Sequence, residues 1–340
     1  MSELKKKQYN TLNALKFIAA FFVVCIHVPF PGEFGKGVIA VARFAVPFFF
    51  MTSGFFSYYS DKEVLCEKYK RKIRHLLVIF AGSFLLYFAW DILGNVMAGT
   101  LKNYFLNKFS ITAFAELLIF NHPRVMEALW FLPALIYATA MFFVFEKTDI
   151  TKKLYFLIPL LFLAGVILRE IPEFTENTPE IMTKAYLYRN WLFVGLPFFM
   201  LGHYIRTNEK RFTSKLSDAF LLVVMLVATA EAVAADLLHA QKSLYIGTFF
   251  AVAALFVLAL KAEDKFRVPF LSKMGAEYSL YIYIFHIFVK NVIEKIGKLD
   301  FTKDMVAAVR PVFPLIVFAV TLIVSVTYVE IKKLLRKQEK

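Results

Sequence analysis

Lys16 and His27 stand 11 positions apart in a stretch otherwise made almost entirely of apolar residues. On a helix that spacing is nearly three turns, so both side chains share one face, about 16 Å apart along the axis. An ionisable residue inside an apolar run is costly and is a functional hypothesis by default. For Lys16 the competing reading is a lysine whose ammonium snorkels to the near interface. For His27 it is a packing or interfacial histidine.

Further polar residues interrupt other apolar runs. Arg43, Pro47, Ser53 and Gly54 fall in one of them. A Ser-Gly step commonly lets two helices approach closely. Glu231 and Asp236 share another run, with His239 near its end, and Tyr278, Ser279, Tyr281, Tyr283 and His286 share a third. Arg71 and Arg74 are three residues apart in a basic cluster, which on a helix puts them on one face. Two guanidinium forks so placed can grip a phosphate or diphosphate. The same cluster also reads as a topology signal or a contact with anionic lipid. The six histidines lie on six different segments, so no metal site is expected. There is no P-loop, GxSxG or dinucleotide fingerprint.

The elements that must position these residues are dictated by composition. Hydrophobic residues make up 59% and charged residues 19% of 340, and the mean hydropathy is +0.60. Globular chains hold roughly 45–50% apolar residues. The balance excludes a disordered chain, a disulfide scaffold and most soluble enzymes. Two cysteines, Cys25 in an apolar run and Cys66 in a charged segment, predict no disulfide. The fold class is all-α integral membrane, with residues 1–340 read as a single polytopic domain. Ten spans of about 20 apolar residues are predicted at 11–29, 38–59, 75–97, 128–146, 153–169, 189–206, 216–238, 243–261, 275–296 and 311–332.

The net charge of +14 follows topology rather than nucleic acid, because basic residues sit between the spans. With the N-terminus inside, the inner segments carry 25 Lys and Arg and the outer segments 12. That bias predicts both termini inside. Residues 60–74 are then an inner basic loop. Residues 98–127 are an outer segment whose apolar stretch, Phe109 to Phe120, is too short to span and reads as interfacial or re-entrant. Residues 170–188 read as an exposed outer loop.

Several motifs, in order along nearly the whole chain, resemble the membrane-bound acyltransferase family 3. The first helix shows a basic residue and a histidine 11 apart, here Lys16 and His27. Phe48-Phe49-Phe50-Met51-Thr52-Ser53-Gly54-Phe55 is similar to the second-helix signature, and Arg71-x-x-Arg74 to its Arg-x-x-Arg motif. Leu129-Trp130-Phe131-Leu132 is similar to its Trp-Phe-Leu step, and Tyr278-Ser279-Leu280-Tyr281 followed by His286 to its late segment. Short members, among them the membrane part of vancomycin-resistance serine/alanine racemases, are resembled most. The chain departs from the pattern at Lys16, where many members have Arg, at Ala128, and after Arg74, where a proline is missing.

The resemblance implies an O-acyltransferase. It would move an acyl group, often acetyl, from cytoplasmic acyl-coenzyme A to a hydroxyl of an extracytoplasmic or membrane-associated acceptor, typically a cell-surface glycan. Acyl-coenzyme A is then a co-substrate, with no bound cofactor. The implied partners are that donor, a hydroxyl acceptor and the bilayer of a bacterial plasma membrane. His27 would be the base, with Lys16 balancing negative charge; by residue counting Arg43, Glu231 and Asp236 share the depth of His27, and of these Glu231 ranks first to orient the ring, because a carboxylate accepts the imidazole N–H. Arg71, Arg74 and Ser53 would hold the donor. Arg43, Trp130, Asp236, Ser279, Tyr281 and His286 would bind the acceptor or serve as structural polar groups. The alternative is a small-molecule transporter or membrane-glycan exporter. The orientation is checked by cysteine labelling: a thiol at position 176 should react in intact cells, and a thiol that reacts only after permeabilisation would reverse it.

Overall fold

A computed structural model describes residues 9–174, 179–238, 244–263, 268–298 and 308–338. His239 lies outside these. The described residues form helices and turns, with no strand among them. The chain divides into two compact units, one of residues 1–49, 210–241 and 247–340, the other of residues 50–209 and 242–246.

The first unit is organised around α1 (Asn10–His27). Its free N-terminal amides are closed by the carboxylate of Glu263, which accepts from Asn10 N and, at 3.0 Å, from Thr11 N. A carboxylate there satisfies the orphan donors and complements the helix dipole. Helix α2 (Gly32–Ala42) follows, and the chain breaks at Arg43-Phe44 before α3 (Ala45–Phe55). Pro47 accounts for the break: it has no N–H for the carbonyl of Arg43, four residues earlier.

The second unit begins within α3 and continues into α4 (Lys62–Ala98), which has 37 residues. At 1.5 Å per residue α4 is about 55 Å long, well beyond an apolar layer of about 30 Å. Residues 62–74, expected as a loop, are therefore its first turns. Asp61 caps it, accepting from Glu63 N at 2.8 Å, and Gly99 ends it in the left-handed region at φ 68°. Between cap and apolar run there is no Gly or Pro, so charge interrupts the hydropathy without interrupting the helix. Then come α5 (Leu101–Lys108), α6 (Ile111–Phe120), α7 (Phe131–Lys147), the single turn α8 (Thr151–Leu154), α9 (Leu157–Phe174) and α10 (Leu196–Thr207). The chain re-enters the first unit through α11 (Glu209–Lys215). It ends with α12 (Asp218–Leu238), α13 (Ile246–Lys261), α14 (Pro269–Glu277), α15 (Ser279–Ile296) and α16 (Phe313–Gln338).

Helix covers the core of each expected span. Among the described residues, seven helical stretches are long and apolar enough to cross a membrane: Asn10–His27, Gly32–Phe55, Lys62–Ala98, Glu127–Lys147, Thr151–Pro172, Asp218–Leu238 and Arg310–Gln338. The apolar α6 is shorter, as the sequence predicts, and α13 is also short. Helix α9 runs past Pro172 to Phe174, so part of the expected outer loop is helical.

Small residues set the closest helix contacts in both units. A Cβ on Gly275 of α14 would lie 1.8 Å from the carbonyl oxygen of Asn13 on α1. In the second unit a Cβ on Gly54 would lie 1.9 Å from Phe199 O, and one on Gly202 would lie 1.9 Å from Met51 O. Thus α3 and α10 meet at two glycines, backbone against backbone, the close approach that small residues allow in lipid. Around α1 an apolar cluster of Ala20, Val24, Val28, Met274, Tyr278, Ile282, Val289, Val317 and Val329 ties in α14, α15 and α16. Because a backbone oxygen cannot rotate away, Gly54→Ala and Gly202→Ala should each cost about 1–3 kcal/mol. Thermal unfolding in detergent checks this; an unchanged melting temperature in both would show that the helices are not in close contact.

Candidate functional site

In the first unit, α1 carries both residues of the 11-residue spacing. Lys16 is half-buried, with its ammonium 3.4 Å from Asn13 Oδ1 one turn back. His27 ends the helix and is also half-buried. Its ring centre is 5.1 Å from that of His286 on α15, with the planes 46° apart. The structure thus pairs two histidines that are remote in the sequence.

It also pairs Arg43 with Asp236. Arg43 Nε donates to Asp236 Oδ1 at 3.2 Å, with the arginine side chain 10% exposed and the carboxylate fully buried. The helix break at residue 43 places this arginine against α12. Glu231 has a different task. Its carboxylate accepts the Gly247 amide at 2.7 Å, and that is its one polar partner among the described residues. It closes the start of α13 rather than orienting His27. A Cβ on Gly247 would sit 2.0 Å from Ala228 O, so α13 is held tightly against α12 at that point.

Ser279 and Tyr281 are occupied structurally. Ser279 Oγ donates to Gly275 O at 2.7 Å, one turn back. Tyr281 receives Lys332 Nζ at 3.3 Å, and the same ammonium lies 5.7 Å from its ring centre.

In the second unit, Arg71 and Arg74 are exposed on α4 and make no hydrogen bond or ion pair among the described residues. Between them Lys72 turns inward. Its ammonium donates to Ser53 O at 3.0 Å, to Ser53 Oγ at 2.7 Å and to Ser57 Oγ at 2.7 Å, beside the Phe199 ring. All three ammonium hydrogens are used at the C-terminal end of α3, where the dipole favours a cation. Ser53 is therefore engaged by Lys72, and its hydroxyl is not an open donor contact. Sequence reasoning passed over Lys72 because it sits in a run of basic residues; only the helical phase separates it from Arg71 and Arg74.

Trp130 packs its ring under the Arg189 guanidinium at 5.5 Å, and its carbonyl accepts from Asn121 Nδ2 at 3.0 Å. Nearby, Arg124 forks onto both carboxylate oxygens of Glu116, and Tyr186 OH lies 3.4 Å from one of them. Arg124's hydrogen bonds hold the Glu116 carboxyl below its ordinary pKa, and burial lowers that of His122, whose ring lies 4.8 Å from Tyr186. Elsewhere in this unit His203, 2% exposed, has Nδ1 2.9 Å from Tyr155 OH and Nε2 3.8 Å from Glu146. The sequence signal for such pairs is weak, because the partners are far apart along the chain.

A family model described as "Acyltransferase domain" matches residues 9–330. Two curated relatives, both named "Amino-acid racemase" and both from Enterococcus faecalis, are similar to this chain. One is 27% identical over 320 residues, covering 86% of this chain and 42% of the relative. The other is 28% identical over 224 residues, covering 62% and 30%. The chain thus spans less than half the length of either relative. No solved structure matches.

The buried ion pair gives a test of what holds the site. Asp236→Ala would leave a buried guanidinium without that carboxylate and should destabilise by about 3–5 kcal/mol. The double change Arg43→Met with Asp236→Leu should recover much of that loss. Equal stability of Asp236→Ala and the unaltered protein in thermal unfolding would refute the pairing.

Proposed function

The chain belongs to the membrane acyltransferase family 3, and from that premise we propose that it is an integral-membrane O-acyltransferase. In this reading it takes an acyl group, acetyl first among the candidates, from cytoplasmic acyl-coenzyme A. It passes that group to a hydroxyl of an extracytoplasmic or membrane-associated acceptor in the cell envelope, with a cell-surface glycan as the favoured class. The family match across residues 9–330 carries the proposal. The ten spans, with both termini inside a bacterial plasma membrane, belong to the same reading.

The residues supply the roles unit by unit. Arg71 and Arg74, exposed on one side of α4 and without a protein partner among the described residues, suit the phosphates of a coenzyme A donor. Lys72 anchors that part of α4 through Ser53 and Ser57. In the other unit His27 is half-buried and therefore reachable. A hydroxyl is a poor nucleophile near pH 7 until a base takes its proton, and an imidazole has the affinity to do so. Lys16, on the same face of α1, would balance negative charge. Arg43 and Asp236 tie the end of α2 to α12.

A second reading rests on the names of the relatives. Both are amino-acid racemases more than twice as long as the matched stretch. A membrane unit in such a protein suits the uptake or export of a small molecule. Binding of acetyl-coenzyme A separates the two readings, since only acyl transfer requires it. Calorimetry on the detergent-solubilised protein should show binding, and Arg71→Ala and Arg74→Ala should each weaken it by about 1.5–3 kcal/mol. Unchanged binding in the double variant would return both arginines to topology signals. Absence of binding to the unaltered protein would favour the transporter.

A further inference from the structure

One end of the first unit sorts its charges by position along α16. Tyr328 of α16 packs on Tyr281 of α15 with ring centres 5.1 Å apart, and the Lys332 ammonium lies 5.7 Å from the centre of Tyr281 and 5.8 Å from that of Tyr328. Tyr278 OH donates to Glu330 at 2.9 Å, and Lys333 pairs with Glu330 at 2.8 Å and with Glu277 at 2.5 Å. Tyrosines so grouped mark the level where an apolar layer meets water. At this level each of these charges is met within the protein. One turn further the pattern changes. Arg336 and Lys337 are exposed and make no hydrogen bond or ion pair among the described residues. Beside them Ile331, Leu334 and Leu335 are 52%, 60% and 56% exposed. At 3.6 residues per turn these three fall within an arc of about 100°, with Arg336 beyond one edge of the stripe and Lys337 beyond the other. Leu335 is seven residues past Tyr328, about 10 Å along the helix. A headgroup layer is about 5–8 Å thick on each side of the hydrocarbon. The stripe therefore runs through that layer, and both cations lie at the depth of lipid phosphates.

We propose that the last two turns of α16 bind anionic phospholipid. Ile331, Leu334 and Leu335 lie among the acyl chains, and Arg336 and Lys337, one on each flank, take headgroup phosphates. Charge complementarity selects the occupant. A guanidinium and an ammonium with no carboxylate of their own call for anions, and phosphate oxygens satisfy both by charge-assisted hydrogen bonds. The apolar stripe between them calls for hydrocarbon, which covers side chains that water would otherwise wet. An anionic phospholipid joins the two demands in one molecule. A zwitterionic phospholipid brings an ammonium of its own, which the two cations repel. An acidic protein segment would answer the charges and leave the stripe uncovered. Lys332 and Lys333 take no part, because Tyr281, Glu277 and Glu330 already hold them. The proposal requires only that the chain lies in a bilayer and is independent of acyl transfer.

The test uses the full chain in detergent, with dioleoylphosphatidylglycerol or dioleoylphosphatidylcholine added, and reads the thermal unfolding midpoint against lipid concentration. Phosphatidylglycerol should raise the midpoint at concentrations where phosphatidylcholine does not, and high salt should shrink the difference. Arg336→Gln with Lys337→Gln should weaken the apparent affinity for phosphatidylglycerol about 25-fold, about fivefold for each basic residue near an anionic surface. Its midpoint in phosphatidylcholine should match that of the unaltered protein, since both side chains are exposed. Leu334→Ser with Leu335→Ser should also weaken binding, because the acyl chains lose apolar contact. Glycerol 1-phosphate, the same anion without acyl chains, should leave the midpoint unmoved. An equal response to the two lipids, or an undiminished response to phosphatidylglycerol in the Arg336 and Lys337 double variant, would overturn the site. A full response to glycerol 1-phosphate would reassign the two cations to free phosphate and overturn the lipid.

Discussion

A polar group inside an apolar layer has no water to fall back on, so it must find its partner within the protein. That constraint organises this molecule. Asp236 is met by Arg43, Glu231 by the Gly247 amide, and Lys72 by three oxygens at the end of α3. Glu263 lies 253 residues from the helix end it closes. Arg43, Asp236 and Glu231 look, in the sequence, like charges in search of chemistry. Each is occupied in holding one helix to another. Among the described residues, the groups that remain without a polar partner include Nε2 of the buried His286 on α15 and the two guanidinium groups of Arg71 and Arg74 on α4.

The same constraint explains why the helices carry so many aromatic rings and why glycine appears where it does. Aliphatic side chains gain little by leaving lipid for another apolar surface, so association relies on close packing. At Gly54 and Gly202 the backbones of α3 and α10 meet directly. This contact keeps Ser53 and Ser57 close to α10, and Lys72 lies over the ring of Phe199 from that helix. One tight helix pair thereby sets the depth of a buried ammonium. That ammonium in turn sets the phase of α4, which leaves Arg71 and Arg74 facing outward.

Much of the fold was legible because hydropathy is a one-dimensional signal. Helix covers the core of every expected span, and the short apolar stretch before Asn121 is a ten-residue helix. Residues 62–74 are helix and not loop, because hydropathy reports the apolar layer and not the helix. The cap at Asp61 and the absence of breakers carry α4 on through charged residues. The break at Arg43-Phe44 falls inside the expected span 38–59, because Pro47 offers no N–H to the Arg43 carbonyl while its apolar ring leaves the hydropathy unbroken.

The site was legible only in part, and the reason is helical phase. Depth along a span follows from counting residues, so Arg43, Asp236 and Glu231 could be grouped at one level from the sequence. Which face each presents depends on rotation and on which helices are neighbours. Rotation joined the first two and turned the third to the start of α13. His27 and His286 show the converse: no spacing links residues 259 positions apart, yet α1 and α15 pack together and bring the rings to 5.1 Å. Backbone chemistry then adds what neither sequence nor depth contains. A carbonyl three residues before His286 settles which nitrogen holds the proton.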